Sequence, residues 1–386
     1  MKKIRIPKIT FWRAVLLVIL ALGLYSTVLR FGKGLGAATN LSDQFPWGLW
    51  VGFDMLCGIG LAAGGLTIAA VIYIFNLKKY EPVVRPALMT AFLGYVLEIV
   101  AVLFDLGRPY RIWHVIIMWN PRSVMFGMAW CVMLLTTVLA LEFSPVVFEK
   151  FRLVKPLKII RLLTIPLVVA GVVLTILHQS FLGALFLIVP GKLHPLWYSP
   201  ILPLFFFISA ITVGLAMVIF ESFLSSRAFG RRLEFNLLVN LGPVIMLLLA
   251  FLLLLRVEDL VRLKALSAVF EFSYESVLFL TEIVLGMVVP MILLVVPKIR
   301  GNPTGLFSSA LLVVLGFVLN RMNVAVTGLE AAAGGTYFPS WMEITITLAI
   351  VGSGLALFYG IAKYFPVFPK EKHGTLPLVS AVVSNE

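Results

Sequence analysis

The sequence predicts an all-α integral membrane protein, a bundle of about ten transmembrane helices with both termini in the cytoplasm. Three observations predict it. Of 386 residues, 61% are hydrophobic and 13% charged, with a mean hydropathy of +1.06, whereas a soluble domain carries about 25% charged residues. Apolar runs of the roughly 20 residues needed to cross the hydrocarbon layer recur from one end of the chain to the other. Lys and Arg fall two to one on the N-terminal side of those runs, with Arg13 inside the first, and the positive-inside rule assigns that side to the cytoplasm.

The first run, near 11–30, follows Lys2, Lys3, Arg5 and Lys8 in the manner of a signal peptide. No small-residue cleavage site precedes Arg30, so it is expected to stay as the first helix. The remaining spans are expected near 49–76, 86–106, 121–144, 158–180, 199–224, 234–256, 275–296, 304–320 and 341–363. No repeat or Ser/Gly-rich linker divides them. We therefore read one transmembrane domain over 1–364 and a short disordered cytoplasmic tail, 365–386, beginning after Lys363 and containing Pro366 and Pro369.

The net charge of +13 suggests nucleic acid at first sight. The cations sit in short loops between apolar runs, where they orient a membrane protein, and a nucleic-acid partner is set aside. Arg108, Arg111 and Arg122 crowd a connection expected to face outward. Either they snorkel to the interface, or that connection binds an anion or a partner. Cys57 and Cys131 lie inside apolar runs, too few and too separated for an iron-sulfur cluster or a zinc site, and read as packing residues.

Ionisable residues inside a span are functional candidates because the hydrocarbon penalises them. Asp54, Glu98, Asp105, His178 and Glu282 all fall in the outer half of their spans, and the inner half holds no comparable set. Trp47, Trp50 and Asp54 stand at i, i+3 and i+7, one helical stripe; Tyr95, Glu98 and Asp105 form a second. Asp105 and Arg108 are spaced for an ion pair.

Acids, a His, Tyr and Trp in an apolar pocket near one surface suit quinone chemistry, in which two electrons and two protons are taken up and each carbonyl needs a hydrogen-bond donor. An imidazole both gives and accepts protons near neutrality, aromatic walls hold the ring, and a carboxylate chain such as Glu98 to Asp105 passes protons. A b-type haem between helices needs axial ligands, and of four histidines only His178 lies in a span, with His114, His194 and His373 in loops or the tail. No haem or iron-sulfur cluster is expected in this chain, so electrons must come from a partner.

The motifs FPWGLWVGFD (Phe45 to Asp54), VRPAL (Val84 to Leu88), FDLGR (Phe104 to Arg108), NPRSV (Asn120 to Val124), HQSFLGAL (His178 to Leu185), HPLW (His194 to Trp197) and YFPSW (Tyr337 to Trp341) resemble, in order, the polysulfide reductase NrfD family. Within it the chain is most similar to the branch serving as cytochrome b subunits of NiFe hydrogenases. The resemblance implies a bacterial or archaeal cytoplasmic-membrane subunit without its own redox centre. Such a subunit docks on its outer face to a ferredoxin-like iron-sulfur protein that serves a catalytic subunit such as NiFe hydrogenase, and it exchanges electrons with menaquinone or ubiquinone. The resemblance carries over onto His178, Tyr95, Asp105 with Arg108, Glu282 and Asp54; taken with the stripes read above, His178, Tyr95, Glu98 and Asp105 are expected as catalytic groups. Trp47, Trp50, Asp54, Arg108, His178 and Gln179 would line the quinone site, and Glu98, Asp105 and Glu282 would transfer protons. One departure stands out. The hydrogenase branch has an acidic residue after Ser-Val-x-Phe where this chain has Gly127, and Glu98 is expected to supply that carboxylate from the neighbouring helix.

Two other function classes fit the same acids. One is a proton or anion transporter, although the discontinuous helices and paired repeats of many transporters are not evident. The other is a passive anchor whose polar groups satisfy one another.

Overall fold

A backbone in lipid has no water to bond, so it closes its hydrogen bonds within helices. The computed structural model describes residues 10–188 and 191–368; Lys2, Lys3, Arg5, Lys8, Pro369 and His373, named above, lie outside the described residues. Ten helices among the described residues are long and apolar enough to cross a membrane: Phe11–Lys33, Trp50–Tyr73, Lys78–Asp105, Val124–Lys150, Val154–Leu185, Leu202–Phe229, Phe235–Arg262, Tyr274–Val295, Pro303–Glu330 and Trp341–Tyr364. Their number and order are those expected. An even number brings both described ends to one face, here the near face; the opposite one is the far face.

Several spans run past the charge at which the apolar run was expected to stop. The fourth reaches Lys150, the fifth Leu185, the seventh Arg262 and the ninth Glu330. Glu142, His178, Arg256 and Arg321 thereby move from helix ends into helix interiors, where the fold rather than water surrounds them. The third helix begins before Pro86 because Pro82 occupies its first turn, where a missing N–H costs nothing.

The second span is the hub. In it 78% of the apolar window is buried, against 17% in the first and fourth, and it packs on the third, fifth and sixth. Glycine makes the closest approaches possible: a Cβ on Gly214 would lie 2.7 Å from the Gly64 nitrogen, and one on Gly286 2.6 Å from the Gly316 Cα. The first span lies on the tenth, joined by the Ser26 and Thr345 hydroxyls at 2.8 Å. On the near face Arg85 bonds Glu149 at 2.8 and 2.9 Å and the Pro366 carbonyl at 3.1 Å. Val367 is fully buried, so the chain beyond Lys363 is packed through Phe368, which corrects the expectation of disorder from that point.

Three spans carry π-helical turns, Trp50–Cys57, Val284–Val288 and Asn323–Thr327. A π turn takes in an extra residue per turn and redirects the side chains beyond it. Trp47 precedes the helix altogether. The expected single stripe of Trp47, Trp50 and Asp54 is therefore not formed.

Candidate functional site

The predicted residues separate into three groups near the far face. The first joins the third and fifth spans. Tyr95 and Glu98, one turn apart, meet Thr175, His178 and Gln179, which belong to the buried face of the fifth helix. His178 Nε2 is 3.7 Å from Glu98 Oε1, and the Tyr95 and His178 ring centroids are 5.7 Å apart. Thr175 donates to the Gly171 carbonyl at 2.8 Å and stands beside the Tyr95 hydroxyl. Tyr95, His178 and Gln179 have no exposed surface. Yet Tyr95 Oη, Glu98 Oε2, both His178 nitrogens and both Gln179 amide atoms find no hydrogen-bond partner among the described residues. Buried polar groups are normally bonded, and such a concentration of exceptions marks a place built for something other than packing. The helix continues for seven residues beyond His178, about 10 Å. His178 is thus a core residue and not the helix-end residue expected.

The second group lies between the second, third and tenth spans. Asp54 accepts from Thr347 Oγ1 at 2.5 Å. Trp50 Nε1 donates to the Glu343 carbonyl at 3.4 Å, and its ring lies 6.0 Å from Phe104. Trp47 instead packs edge-on against Phe186, 5.7 Å away, two turns beyond His178 on the fifth span's side of the bundle. Asp105 faces the charge of Arg30, which reaches across from the first span. Arg30 donates to the carbonyls of Phe104 and Leu106, both at 2.7 Å, and so caps the third helix. The expected Asp105–Arg108 ion pair is absent among the described residues. The helix ends at Asp105, Leu106 is extended, and the i, i+3 geometry no longer applies. Arg108 is exposed on the far face.

Glu282 forms the third group, away from His178. Its two carboxylate oxygens accept from Trp197 Nε1 at 3.0 Å, Asn320 Nδ2 at 2.7 Å and Asn323 Nδ2 at 2.9 Å. Arg321 bonds Asn320 at 2.6 Å and Ser209 at 2.7 Å, its guanidinium 3.6 Å above the Phe206 ring. Sequence reasoning missed these partners because Arg321 lies just past the expected end of its span.

The near half is not empty, contrary to expectation. Both Glu142 carboxylate oxygens are buried and unbonded, and Glu221 accepts from Thr90 at 2.7 Å. Both acids stood close to the expected ends of their spans, where an interfacial position was the simpler reading. At Gly127 a Cβ would meet the Phe181 ring at 2.6 Å, so an acidic side chain there would displace that ring. The only carboxylate beside His178 among the described residues is Glu98.

Outside the spans, the far-face loops are held by their own polar bonds. Tyr337 Oη donates to Glu343 and accepts from the Leu49 amide at 3.0 Å; burial, then the bond to Glu343, pushes the phenol above its ordinary range. Burial lowers His194, whose Nδ1 accepts from the Leu196 amide at 3.3 Å.

Ten packed spans with a buried, polar, far-side site define a polytopic α-helical membrane protein of the kind that handles chemistry inside the bilayer. Residues 37–333 match the family described as polysulphide reductase, NrfD, and the chain belongs to that family. It is 41% identical over 365 residues, 91% of this chain and 92% of the relative, to a protein of Nitratidesulfovibrio vulgaris whose name states no activity. It is 35% identical, over 89% of each chain, to the probable Ni/Fe-hydrogenase 2 b-type cytochrome subunit of Escherichia coli. It is also 27% identical, over 95% of this chain and 93% of the relative, to the integral membrane subunit of menaquinone reductase of N. vulgaris.

Proposed function

We propose that this chain is the quinone-reactive membrane subunit of a respiratory oxidoreductase, of the NiFe hydrogenase type. The observation that carries the proposal is the buried group formed by Tyr95, Glu98, His178 and Gln179, in which Tyr95 Oη, Glu98 Oε2, both His178 nitrogens and both Gln179 amide atoms find no hydrogen-bond partner among the described residues. A quinone head group offers two carbonyl acceptors, and its quinol two hydroxyls. The His178 imidazole, the Tyr95 hydroxyl and the Gln179 amide supply donors and acceptors matched to both forms. Reduction adds two electrons and two protons to the two oxygens. Glu98, 3.7 Å from His178, is the group that restores or removes the imidazole's proton. Asp105, seven residues further along the same helix, leads toward the far face.

Trp47 supplies an aromatic wall on the far side of the site, and Asp54 lines the neighbouring hub helix. Arg108, exposed with Arg111 beside the aromatic loop of Tyr110, Trp113 and Trp119, belongs to a docking rim rather than to the head-group site. In this reading the near face is cytoplasmic, and the far face meets a ferredoxin-like iron-sulfur protein that delivers electrons from, or passes them to, a hydrogenase-type catalytic subunit. The chain itself carries no haem. The name of one relative includes menaquinone, and either menaquinone or ubiquinone has the chemistry required here.

The test replaces His178 by Leu, which keeps most of the volume and so leaves little cavity. Ala would add a cavity costing about 2–5 kcal/mol. With the Leu variant in the intact complex, quinone turnover should fall at least about a hundredfold, as on losing a positioned proton-transfer group. Electron transfer from the soluble partner to a water-soluble dye should persist. Unchanged quinone turnover would remove His178 from the site.

A further inference from the structure

A cavity lies between the sixth, seventh, eighth and ninth spans, apart from the Tyr95, Glu98, His178 and Gln179 group. Leu249, Leu252, Ile283, Met287 and Val313 make its walls apolar, and Arg256 stands at its far end with Glu282.

Arg256 is 6% exposed. Its guanidinium contacts the rings of Phe205 at 5.1 Å and Phe279 at 5.5 Å, with no hydrogen bond or ion pair among the described residues. The neighbouring charges are already engaged. Glu282 is occupied by Trp197, Asn320 and Asn323; Asp259 by Arg262 at 2.9 Å; Arg321 by Asn320 and Ser209. A desolvated guanidinium aimed into an apolar cavity asks for an anion attached to an apolar body.

Depth selects which anion. The seventh span has 28 residues, about 42 Å, so it overshoots a hydrocarbon layer of about 30 Å by about 6 Å at each end. Arg256 is six residues, about 9 Å, short of Arg262. It therefore lies about 3 Å inside the hydrocarbon boundary, a depth from which an arginine reaches lipid phosphates.

We propose that this cavity holds one anionic phospholipid of the far leaflet, its phosphate on Arg256 and an acyl chain along Leu252, Leu249, Met287 and Val313. Glu282 and Asp259 attract Arg256 through space but bond other groups; a phosphate accepts the guanidinium's paired donors in charge-assisted bonds, which a neutral quinone carbonyl does not offer.

The experiment places the full chain, in its complex, in nanodiscs of phosphatidylcholine with a minority of phosphatidylglycerol, then strips it with mild detergent and counts retained lipid by native mass spectrometry. The wild type should keep one phosphatidylglycerol. Arg256→Gln should lower that retention about tenfold or more, since a charge-assisted hydrogen bond is lost. Arg256→Lys should keep part of it through charge alone. Val313→Phe, which fills the acyl-chain channel and leaves the guanidinium in place, should also abolish retention, so the proposal stays testable if the Gln variant folds poorly. Equal retention by wild type and both the Gln and Phe variants would overturn the proposal. So would retention of phosphatidylcholine, or of added menaquinone, in place of phosphatidylglycerol.

Discussion

Replacing Glu282 by Ala removes the acceptor for three donors at once: Trp197 Nε1 at 3.0 Å, Asn320 Nδ2 at 2.7 Å and Asn323 Nδ2 at 2.9 Å. Trp197 is fully buried and Asn323 2% exposed, so neither can turn to water. Hydrogen bonds between membrane helices average about 0.6 kcal/mol and reach about 1.7, and three of them come to about 2–5 kcal/mol. Glu282→Gln keeps one carbonyl oxygen for two of the donors and turns an amide against the third, a loss of roughly 1–2 kcal/mol on the same scale. Equilibrium unfolding in mixed detergent–SDS micelles reads both values. Because all three bonds tie the eighth span to the ninth and to the HPLW loop, quinone turnover per folded complex should hold in the Gln variant. The sequence alone suggested a proton-transfer role for Glu282, and this assay distinguishes the two. Equal destabilisation by Ala and Gln, or lost turnover in a fully folded Gln variant, would refute the anchoring role.

Tyr337→Phe deletes the bonds to Glu343 and from Leu49 and should cost about 1–2 kcal/mol in thermal unfolding. Burial raises the folded phenol above the unfolded value of about 10, so the folded state keeps a proton that the unfolded chain has lost. The stabilisation is therefore complete below about pH 10 and falls as pH rises beyond it; the Phe variant should lose that alkaline decline, and an identical pH profile in both proteins would contradict the clamp. Arg111→Cys should react with a membrane-impermeant maleimide in intact cells, without background from Cys57 or Cys131, which are buried. Reaction after permeabilisation alone would reverse the orientation.

The number and order of spans were legible because a run of about 20 apolar residues has few other uses. His178 was legible as the sole histidine within them, and Tyr95 with Glu98 through their i, i+3 spacing on one helix. The family, too, could be read from motifs spread along the chain, and the match over 37–333 bears it out. What was not legible depends on contacts distant in sequence. A window that ends at the first charge treats Glu142, Arg256 and Arg321 as edge residues. The fold carries the helices past Arg256 and Arg321 because aromatic rings from other spans face both charges, and hydrogen-bond acceptors also face Arg321; Glu142 is buried without a bonding partner among the described residues. The start of the second helix at residue 49 leaves Trp47 outside it, and the π-helical turn at Trp50–Cys57, which leaves no mark in hydrophobic periodicity, shifts Asp54 off the stripe expected with Trp50. Arg30, read as the end of the first span, caps the third helix 74 residues away.

The central claim is that a quinone head group sits between the third and fifth spans. An azido-quinone photolabel applied to the active complex, followed by peptide mapping, tests it most directly. The account predicts labelling that competes with native quinone and falls on the segments containing Tyr95 to Glu98 and Thr175 to Gln179. Competed labelling concentrated instead on the cavity residues of the sixth to ninth spans, around Met287 and Val313, with the Tyr95 and His178 peptides unmodified, would contradict it.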